Sequence, residues 1–257
     1  MVQPAVAVDT HCHLFLMEGD TAEVVRSARR EGVERMVCVG IDPESSRRSL
    51  ELAESFRGVF ATAGVHPHTA SDFEPRAAAV VEELLAHPLV VGVGETGLDY
   101  YRRLSPEVDQ HRAFRTHIAL SRETGKPLVV HVREAWEDAM RILAEERAER
   151  VVLHCFSGDS TVAREAVARG YFVSFAGNLT YPKTEGMRAA AAAAPEDKIL
   201  AETDSPFLAP QSKRGSPNTP TNVLDVHAML AEIRGVNVER MVGSTTEAAL
   251  QAFPLLR

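Results

Sequence analysis

Six side chains of types that commonly bind metal ions follow short apolar runs at separate places along the chain. Each of these runs is rich in β-branched residues and nearly uncharged, which is typical of a buried parallel strand. The six residues are His11, His13, Glu95, His131, His154 and Asp204. Imidazole nitrogens and carboxylate oxygens at the ends of several parallel strands predict a shared metal site.

Spacing and flanking residues suggest individual roles. His11 and His13 are two residues apart, so on a strand both imidazoles point the same way and can bind one ion. Glu95 is expected to close a strand, and its carboxylate could bridge two ions, because Gly94 and Gly97 leave room for a ligand to approach. Asp204 could contact both an ion and its water, which makes Glu95 and Asp204 the candidate catalytic residues. The alternatives are a salt bridge for Glu95, capped surface positions for His11 and His13, and core positions for His131 and His154.

The number of candidate ligands predicts two divalent ions. The first set is His11, His13, Glu95 and Asp204, and the second is Glu95, His131 and His154. Histidine-rich ligation favours Zn²⁺, Mn²⁺, Fe or Ni²⁺ over Mg²⁺, although the carboxylates leave Mg²⁺ open. Two-metal sites activate a water and stabilise the attacking and leaving oxygens of an in-line displacement.

Further polar residues follow the same predicted strand ends and are candidates for substrate binding. They are His66 and His68, Tyr100 and Arg102, Arg133, and Arg214 in a long loop near the end of the chain. Arginine can hold a phosphate, and a tyrosine can stack on a base. The alternatives are ordinary loop positions for the two histidines and packing beneath the loop for Tyr100 and the adjacent Tyr101.

The elements that must position these residues alternate along the whole chain. Apolar runs are expected to form strands near 4–9, 34–40, 59–64, 89–94, 127–131, 150–154, 171–175 and 198–202. Amphipathic segments separate them, so the sheet should be parallel. Eight repeats in 257 residues predict an α/β fold: one domain over 1–257, a single (β/α)8 TIM barrel with the site at the C-terminal ends of the strands.

Helix boundaries and the last loop can also be predicted. Asp42-Pro43 and Ser105-Pro106 are N-cap and first-position signals, and Ser160 could cap a helix that ends before Gly170. The Pro-, Ser- and Gly-rich loop 205–221 should lie over the barrel mouth. Residues 238–253 should form a closing helix. His87, His111, His117 and His227 lie in predicted helical segments and receive no functional role.

Composition narrows the class of protein. The chain is 45% hydrophobic and 25% charged, as is usual for a globular protein, and its net charge of −8 argues against a broad basic surface for nucleic acid. A local basic pocket remains possible. Three cysteines without a C-x2-C pair suggest reduced thiols, and the absence of a signal-type N-terminus or a long apolar stretch favours a cytoplasmic protein with no membrane partner.

Taken together and in this order, the motifs resemble the TatD family of metal-dependent hydrolases within the amidohydrolase-like superfamily. The resemblance spans nearly the whole chain. The matching segments are Asp9-Thr10-His11-Cys12-His13, Gly64-Val65-His66-Pro67-His68, Gly92-Val93-Gly94-Glu95-Thr96-Gly97-Leu98-Asp99, His131-Val132-Arg133, His154-Cys155-Phe156-Ser157-Gly158, Glu202-Thr203-Asp204-Ser205-Pro206 and Arg214-Gly215-Ser216-Pro217-Asn218. It implies a TIM barrel, two divalent metals bound by the six residues above, and hydrolysis that often includes 3′→5′ deoxyribonuclease action.

One position departs from the family pattern. Ala248 stands where the family usually has an asparagine in a C-terminal Thr-x-Asn-type segment. That residue is not a metal ligand, so we expect a difference in packing and no loss of activity.

The sequence is compatible with three functions. The favoured one is a two-metal phosphodiesterase, a 3′→5′ exonuclease-like deoxyribonuclease that uses a metal-activated water and binds DNA through strand ends. The second is a metal-dependent hydrolase of a small amide or ester. The third is a metal-binding protein without catalysis, which would have no need for six ligand positions.

Overall fold

Eight parallel strands form one sheet in the computed structural model, which describes residues 6–257. The strands follow each other around the sheet in chain order. They are β1 (Ala7–Cys12), β2 (Val33–Val39), β3 (Val59–Ala63), β4 (Val90–Asp99), β5 (Leu128–Arg133), β6 (Val151–Leu153), β7 (Phe172–Phe175) and β8 (Ile199–Ala201). All eight predicted strands are present. Residues 4 and 5 of the first prediction lie outside the described residues, and β1 extends three residues further than expected, to Cys12, so that it includes His11.

The sheet curls into a nearly closed barrel, as the sequence predicts. No regular ladder joins β8 to β1, but the backbones meet just beyond β8, in a parallel bridge between Cys12 and Ser205. There the amide of Asp204 donates to His11 O (2.9 Å) and the amide of His13 donates to Ser205 O (2.7 Å). The chain segments that carry His11, His13 and Asp204 are therefore adjacent in space.

Nine α-helices of the described residues surround the barrel. They are α1 (Thr21–Arg30), α2 (Pro43–Ser55), α3 (Pro75–Leu85), α4 (Glu107–Thr124), α5 (Trp136–Glu145), α6 (Ser160–Ala168), α7 (Glu185–Ala193), α8 (Val223–Arg234) and α9 (Val238–Ala252). None of the helices within 6–257 has the length and apolar character needed to cross a membrane.

The helix signals in the sequence were only partly right. Asp42 caps α2 through the amide of Ser45, as predicted. Ser105 does not cap α4, which begins at Glu107, because its hydroxyl donates instead to the backbone oxygen of His68. The cap of α6 is Asp159, whose carboxylate accepts from two amides, so Ser160 is the first helical residue. His87 lies in the loop after α3 and not in a helix.

The fourth strand differs from the prediction in a way that affects the site. It runs through Asp99, so Glu95 lies within the strand and does not close it. The pairing with β5 shifts register between Val93 and Thr96, and the β1–β2 pairing shifts between Asp9 and Cys12. Such irregularities turn individual side chains away from the regular alternation of a strand. Glu95 and His11 both fall inside these irregular stretches.

The interior of the barrel is filled from its N-terminal end. Inward valines such as Val37, Val91 and Val129 pack with Phe253 and the last turns of α9. Ala248 is fully buried in this cluster. Ala248 therefore lies in the packing beneath the barrel, away from the candidate site.

Candidate metal centre

Four of the six predicted ligands form one compact group at the C-terminal end of the barrel. His11 Nε2 and His13 Nε2 are 3.2 Å apart. Glu95 Oε2 lies 3.4 Å from His11 Nε2 and 3.9 Å from His13 Nε2. Asp204 Oδ1 lies 3.3 Å from His13 Nε2 and 3.7 Å from His11 Nε2. Residues from β1 and β4 thus bring together three mutually close donor atoms, on His11, His13 and Glu95, and Asp204 lies beside the two histidines.

These separations match the requirements of a metal ion. Ligand atoms held at 2.0–2.1 Å in a tetrahedron are about 3.3 Å from each other. The distances that join the two ring nitrogens to each other and to the carboxylate oxygens are 3.2–3.9 Å, close to that figure. The donor set is one that Zn²⁺ and related divalent ions accept.

A second group surrounds the other oxygen of Glu95. Glu95 Oε1 lies 3.1 Å from His131 Nδ1 and 3.3 Å from His154 Nε2. His66 Nε2 is 3.4 Å from the same oxygen. The single carboxylate of Glu95, which is 2% exposed, thus joins both predicted ligand sets.

Hydrogen bonds fix the protonation pattern of two histidines. His13 Nδ1 is 2.8 Å from Val39 O, which can only accept, so Nδ1 carries the proton. His154 Nδ1 is 2.7 Å from Glu202 Oε1 and donates to it in the same way. Both rings therefore present the unprotonated Nε2 to the site when neutral, which is the form that binds a metal.

Glu202 is a residue of the candidate site that the sequence analysis missed. It is fully buried, and its Oε1 accepts from His154 Nδ1 and from the amide of Cys155 (2.8 Å). Glu202 thereby holds His154 in place from behind. The signal available in the sequence was its spacing of two residues from Asp204, which matches the spacing of His11 and His13.

The site concentrates negative charge in a buried place. Burial alone would raise the pKa of Glu95, but His154, His66 and His11 outweigh it and hold the pKa well below its usual range. Burial likewise opposes ionisation of Asp204, yet the hydrogen bond from His13 lowers its pKa. Both carboxylates are therefore ionised at neutral pH, as metal ligands must be.

The surroundings shift the pKa values of His11 and His154 in opposite directions. Burial lowers the pKa of His11, and the neighbouring ring of His154, stacked at 3.7 Å, lowers it further. For His154, burial is outweighed by the carboxylates of Glu202 and Glu95, which raise its pKa well above the ordinary value. Cationic charge is thus concentrated on the ring between two glutamates, where a divalent ion would compete with the proton.

His66 differs from the ligands in its protonation. Its Nδ1 accepts from the amide of His68 (3.1 Å), so the proton of the neutral ring is on Nε2. Burial lowers the pKa of His66 to about 4, so the ring is neutral at pH 7. Its Nε2–H points to Glu95 Oε1 as a donor. His66 thus offers the site an uncharged hydrogen-bond donor.

Asp99 links two further predicted residues. Its Oδ2 lies 2.7 Å from His68 Nε2 and 3.5 Å from His131 Nε2. Asp99 is buried at the end of β4, and its Oδ1 accepts from the amides of Tyr101 and Arg102. The carboxylate therefore connects His131 to the loop that follows β4, and His68 contacts Asp99 instead of the Glu95 groups.

The remaining candidates for substrate binding divide into two kinds. The hydroxyl of Tyr100 donates to Asp138 (2.7 Å) and lies 2.6 Å from His111 Nε2, so this tyrosine braces α4 against α5. That geometry favours the packing alternative for Tyr100. By contrast, the Arg133 guanidinium lies 4.0 Å from the centre of the Tyr101 ring, and Arg214 lies 4.8 Å from that of Tyr181. Arg102 is exposed in the loop after β4.

Buried hydrogen bonds join the first strand of the barrel to the segment that follows the last strand, beneath the site. Asp9 Oδ1 accepts from the amides of Thr203 (2.9 Å) and His11 (3.3 Å). The Thr203 hydroxyl lies 2.6 Å from Asp9 Oδ2. Asp9 precedes the His11–His13 pair, and Thr203 precedes Asp204. These hydrogen bonds therefore set the position of His11 and His13 relative to Asp204.

The glycines beside Glu95 have a different function from the one predicted. A Cβ on Gly94 would lie 2.5 Å from Val129 O, and a Cβ on Gly97 would collide with His131 O. Both glycines also have φ near +134°, a conformation that L side chains rarely adopt. They allow the backbone of β5 to approach β4 closely, and it is this strand that occupies the space assigned from sequence to a ligand.

Comparison with known proteins gives a consistent result. Residues 8–254 match the family described as TatD related DNase. The chain is 39% identical over 249 residues to the Bacillus subtilis (strain 168) protein named uncharacterized metal-dependent hydrolase YabD, covering 95% of this chain and 98% of that one. It is 37% identical over 209 residues to the 3′-5′ ssDNA/RNA exonuclease TatD of Musicola paradisiaca (strain Ech703), covering 80% and 79%.

A solved structure supports the same grouping. The crystal structure of YJJV, a TatD homologue from Escherichia coli K12, superposes with a TM-score of 0.91 at 27% identity. The match covers 96% of this chain and 98% of that chain. The fold is therefore shared over nearly the whole length of both chains.

Proposed function

The chain belongs to the TatD family of metal-dependent hydrolases, and from this premise we propose that it is a two-metal phosphodiesterase that removes nucleotides from the ends of DNA strands. The observation that supports this most is the position of Glu95. Each of its carboxylate oxygens lies within 3.4 Å of a histidine nitrogen of a different group. Such a carboxylate can be shared by two ions.

The proposed ligands are the two sets predicted from sequence. His11, His13, Glu95 and Asp204 would hold one ion, and Glu95, His131 and His154 the other. Divalent ions bound there would polarise a phosphate oxygen and lower the pKa of a water molecule. The side chains of the protein would then have to orient the water, accept its proton and bind the phosphate.

Asp204 is suited to orient the attacking water and to receive its proton. Oδ1 faces His13, while Oδ2 forms no hydrogen bond within the described part of the chain. The side chain is 14% exposed, so the free oxygen can be reached from the mouth of the barrel. Because its pKa is lowered, Asp204 is ionised and able to accept a hydrogen bond from the water at neutral pH.

His66 and the arginines are suited to bind the phosphate. A phosphate oxygen beside Glu95 would be within reach of the neutral Nε2–H of His66. Arg102, Arg133 and Arg214 lie in or next to loops at the same end of the barrel and supply positive charge. Charge-assisted bonds from arginine to phosphate are among the stronger hydrogen bonds in proteins.

The preference for strand ends rests on charge and on the relatives. With a net charge of −8, the protein has no excess of cations to neutralise a long duplex. The relatives from Musicola paradisiaca and Klebsiella pneumoniae (strain 342) are named 3′-5′ ssDNA/RNA exonucleases. A strand end needs only a few phosphate contacts at one deep site.

The proposal is tested by metal reconstitution of variants. The metal-free protein is titrated with Mn²⁺ or Zn²⁺, and cleavage of 5′-labelled single-stranded DNA is followed. We expect Glu95→Ala to lower activity at least about 10³-fold and to bind less than one ion per chain, because both groups lose a ligand. His154→Ala should lose mainly one ion. The matched control is Glu123→Gln, an exposed glutamate on α4, which should bind two ions and retain full activity.

Two results would count against the proposal. Full occupancy of both ions in Glu95→Ala would show that this carboxylate is not shared. A reconstituted wild-type enzyme that cleaves a small amide or ester but no phosphodiester would favour the second function considered from sequence.

A further inference from the structure

Large apolar side chains are exposed mainly around one end of the barrel. Among residues 6–257, seven such side chains are exposed, and five of them lie in or directly after loops at the C-terminal ends of strands. They are Leu16, Tyr101, Leu104, Val108 and Phe207. Random scattering over the surface would not place most of them on one face, and patches of this kind commonly mark a binding site.

These five residues form two groups on opposite sides of the mouth. Leu16 follows β1 and Phe207 follows β8, whereas Tyr101, Leu104 and Val108 follow β4. In an eight-stranded barrel with strands in chain order, β4 and β8 are four strands apart and therefore face each other. The histidine and carboxylate groups lie between them, and the Phe207 ring is 6.1 Å from the His13 ring.

The backbone that carries Phe207 is held firmly although the ring is 51% exposed. The Phe207 amide donates to Asp204 O (2.8 Å). The side-chain amide of Asn218, which is 2% exposed, donates to Phe207 O and to Thr203 O. A buried asparagine thus fixes the turn that presents an aromatic ring to solvent beside the metal centre.

On the opposite side of the mouth, the loop after β4 is also fixed by a buried polar side chain and also exposes an aromatic ring. The amides of Tyr101 and Arg102 both donate to buried Asp99 (3.0 and 2.7 Å), while the Tyr101 side chain is 55% exposed. The Arg133 guanidinium stacks on the Tyr101 ring at 4.0 Å. It forms no ion pair and donates no hydrogen bond to any residue of the described chain, so its charge is available to a ligand.

We propose that Phe207 and the Tyr101–Arg133 pair are two stacking platforms that bind unpaired bases on either side of the phosphate at the metal centre. This rests on the proposed function. Every base has a π-face, so aromatic rings and guanidinium planes bind single strands with little regard to sequence. In a duplex the bases are already stacked on each other and cannot reach rings on opposite sides of the mouth. The platforms would therefore make the enzyme specific for single strands or frayed ends.

The test measures KM and kcat on a single-stranded oligonucleotide with metal-loaded enzyme. Phe207→Ala and Tyr101→Ala should each raise KM by about 5- to 100-fold, the effect expected for one stacked base, with kcat changed much less. Tyr101→Phe keeps the ring and should retain the wild-type KM. The matched control is Leu255→Ala, which removes an exposed apolar side chain in the short C-terminal segment after α9 and should change neither constant.

A second measurement separates stacking from a structural effect. Oligonucleotides with one abasic position are compared in wild type and variants. If Phe207 stacks on a base, removing that base should raise KM in the wild type but have no further effect in Phe207→Ala. Alanine variants with an unchanged KM, or with the full abasic penalty at every position, would overturn the proposal even though the enzyme cleaves DNA. A wild-type enzyme that cleaves no nucleic acid would overturn the proposed function itself, and the platforms with it.

Discussion

Glu202 illustrates how a buried residue can determine the orientation and protonation of a candidate metal ligand. Its carboxylate fixes the His154 ring and its tautomer through a 2.7 Å hydrogen bond. Partners of this kind raise the basicity of a metal-binding imidazole, and their loss commonly weakens metal affinity or activity 10- to 100-fold. Glu202 is fully buried, so its contact with His154 is shielded from bulk water.

We therefore expect Glu202→Gln to weaken binding of one ion. The amide oxygen can still accept from His154, but the negative charge that favours a strongly donating imidazole is gone. Competition with a chelator should show about 10- to 100-fold weaker binding of the ion at His154, with a similar fall in activity at limiting metal. Glu123→Gln should bind as the wild type does. Unchanged affinity in Glu202→Gln would limit Glu202 to a packing role.

His117 is a buried histidine of α4 whose neutral form is built into the fold. Its Nδ1 donates to Ala113 O (2.7 Å), and its Nε2 accepts from the amide of Val65 (3.0 Å), directly before His66. Burial lowers the pKa of His117 to about 4 from an ordinary value of 6.5. A proton on Nε2 would face the Val65 N–H, so protonation must break this bond.

The free energy of unfolding should depend on pH accordingly. Because the folded-state pKa is lowered, the contribution of His117 is complete above about pH 6.5 and is lost as the pH falls towards 4, by up to roughly 3 kcal/mol. Urea denaturation at pH 7.0 and 4.5 should show a smaller loss in His117→Gln than in the wild type. Burial lowers the pKa of His227 in the same direction, also to about 4, so the double variant with His227→Gln should show a still smaller loss. Equal losses of unfolding free energy between pH 7.0 and 4.5 in all three proteins would show that these histidines do not cause the pH dependence.

At the residue scale, the sequence was sufficient to predict which side chains meet but not how each is used. The ligand pattern placed six residues at strand ends, and the structure brings all six together. The tautomer of His66 depends on the amide of His68, and the engagement of Tyr100 depends on His111 and Asp138 from other elements. Contacts of this kind are set by tertiary structure, and a motif does not contain them.

At the scale of elements, the close packing of β4 and β5 positions Glu95 beside His131. The β4–β5 register resumes after Glu95 with Thr96 opposite Val130 and Gly97 opposite His131. Only a residue without a side chain fits at Gly97, because a Cβ would collide with His131 O and φ is +134°. A side chain there would push the strand that carries His131 away from Glu95.

Gly97→Ala should therefore be strongly destabilising. We expect a loss of at least about 2 kcal/mol in the free energy of unfolding, from backbone strain and steric conflict together, measured by urea denaturation. Gly186→Ala is the matched control: Gly186 lies in α7 with open space around its Cβ position, so alanine should be neutral or stabilise by up to about 1 kcal/mol. Similar losses in both variants would show that the β4–β5 contact has no special role.

The order of elements followed from the sequence because each strand and helix has its own periodicity. The ends of the elements were predicted less accurately. The first residue of a helix depends on which side chain accepts a hydrogen bond from its free amides, and this is set by neighbouring segments. Ser105 is recruited by His68 O and Asp159 takes the place predicted for Ser160. The extension of β4 past Glu95 reflects pairing with β5, which local sequence does not determine.

At the scale of the whole molecule, charge and shape restrict the substrate together. The protein carries a net charge of −8, while Arg102, Arg133, Lys213 and Arg214 lie in or next to loops at the mouth of the barrel. The long loop with Lys213 and Arg214 follows β8, so cations are present on both sides of the mouth. These four cations surround one deep site and do not form an extended row along which a duplex could bind.

Binding should consequently depend only weakly on salt, and cleavage should require an end. If about three phosphates of a single strand are neutralised, log K should fall with log salt concentration with a slope no steeper than about −2. Linear single strands should be degraded, blunt duplexes more slowly because their ends must fray, and closed single-stranded circles hardly at all. The three substrates are compared with the same metal, and binding is measured by titration of a labelled oligonucleotide at several salt concentrations. Rapid cleavage of the circle, or a slope of about −5 or steeper, would show that the protein binds the strand along its length and not at its end.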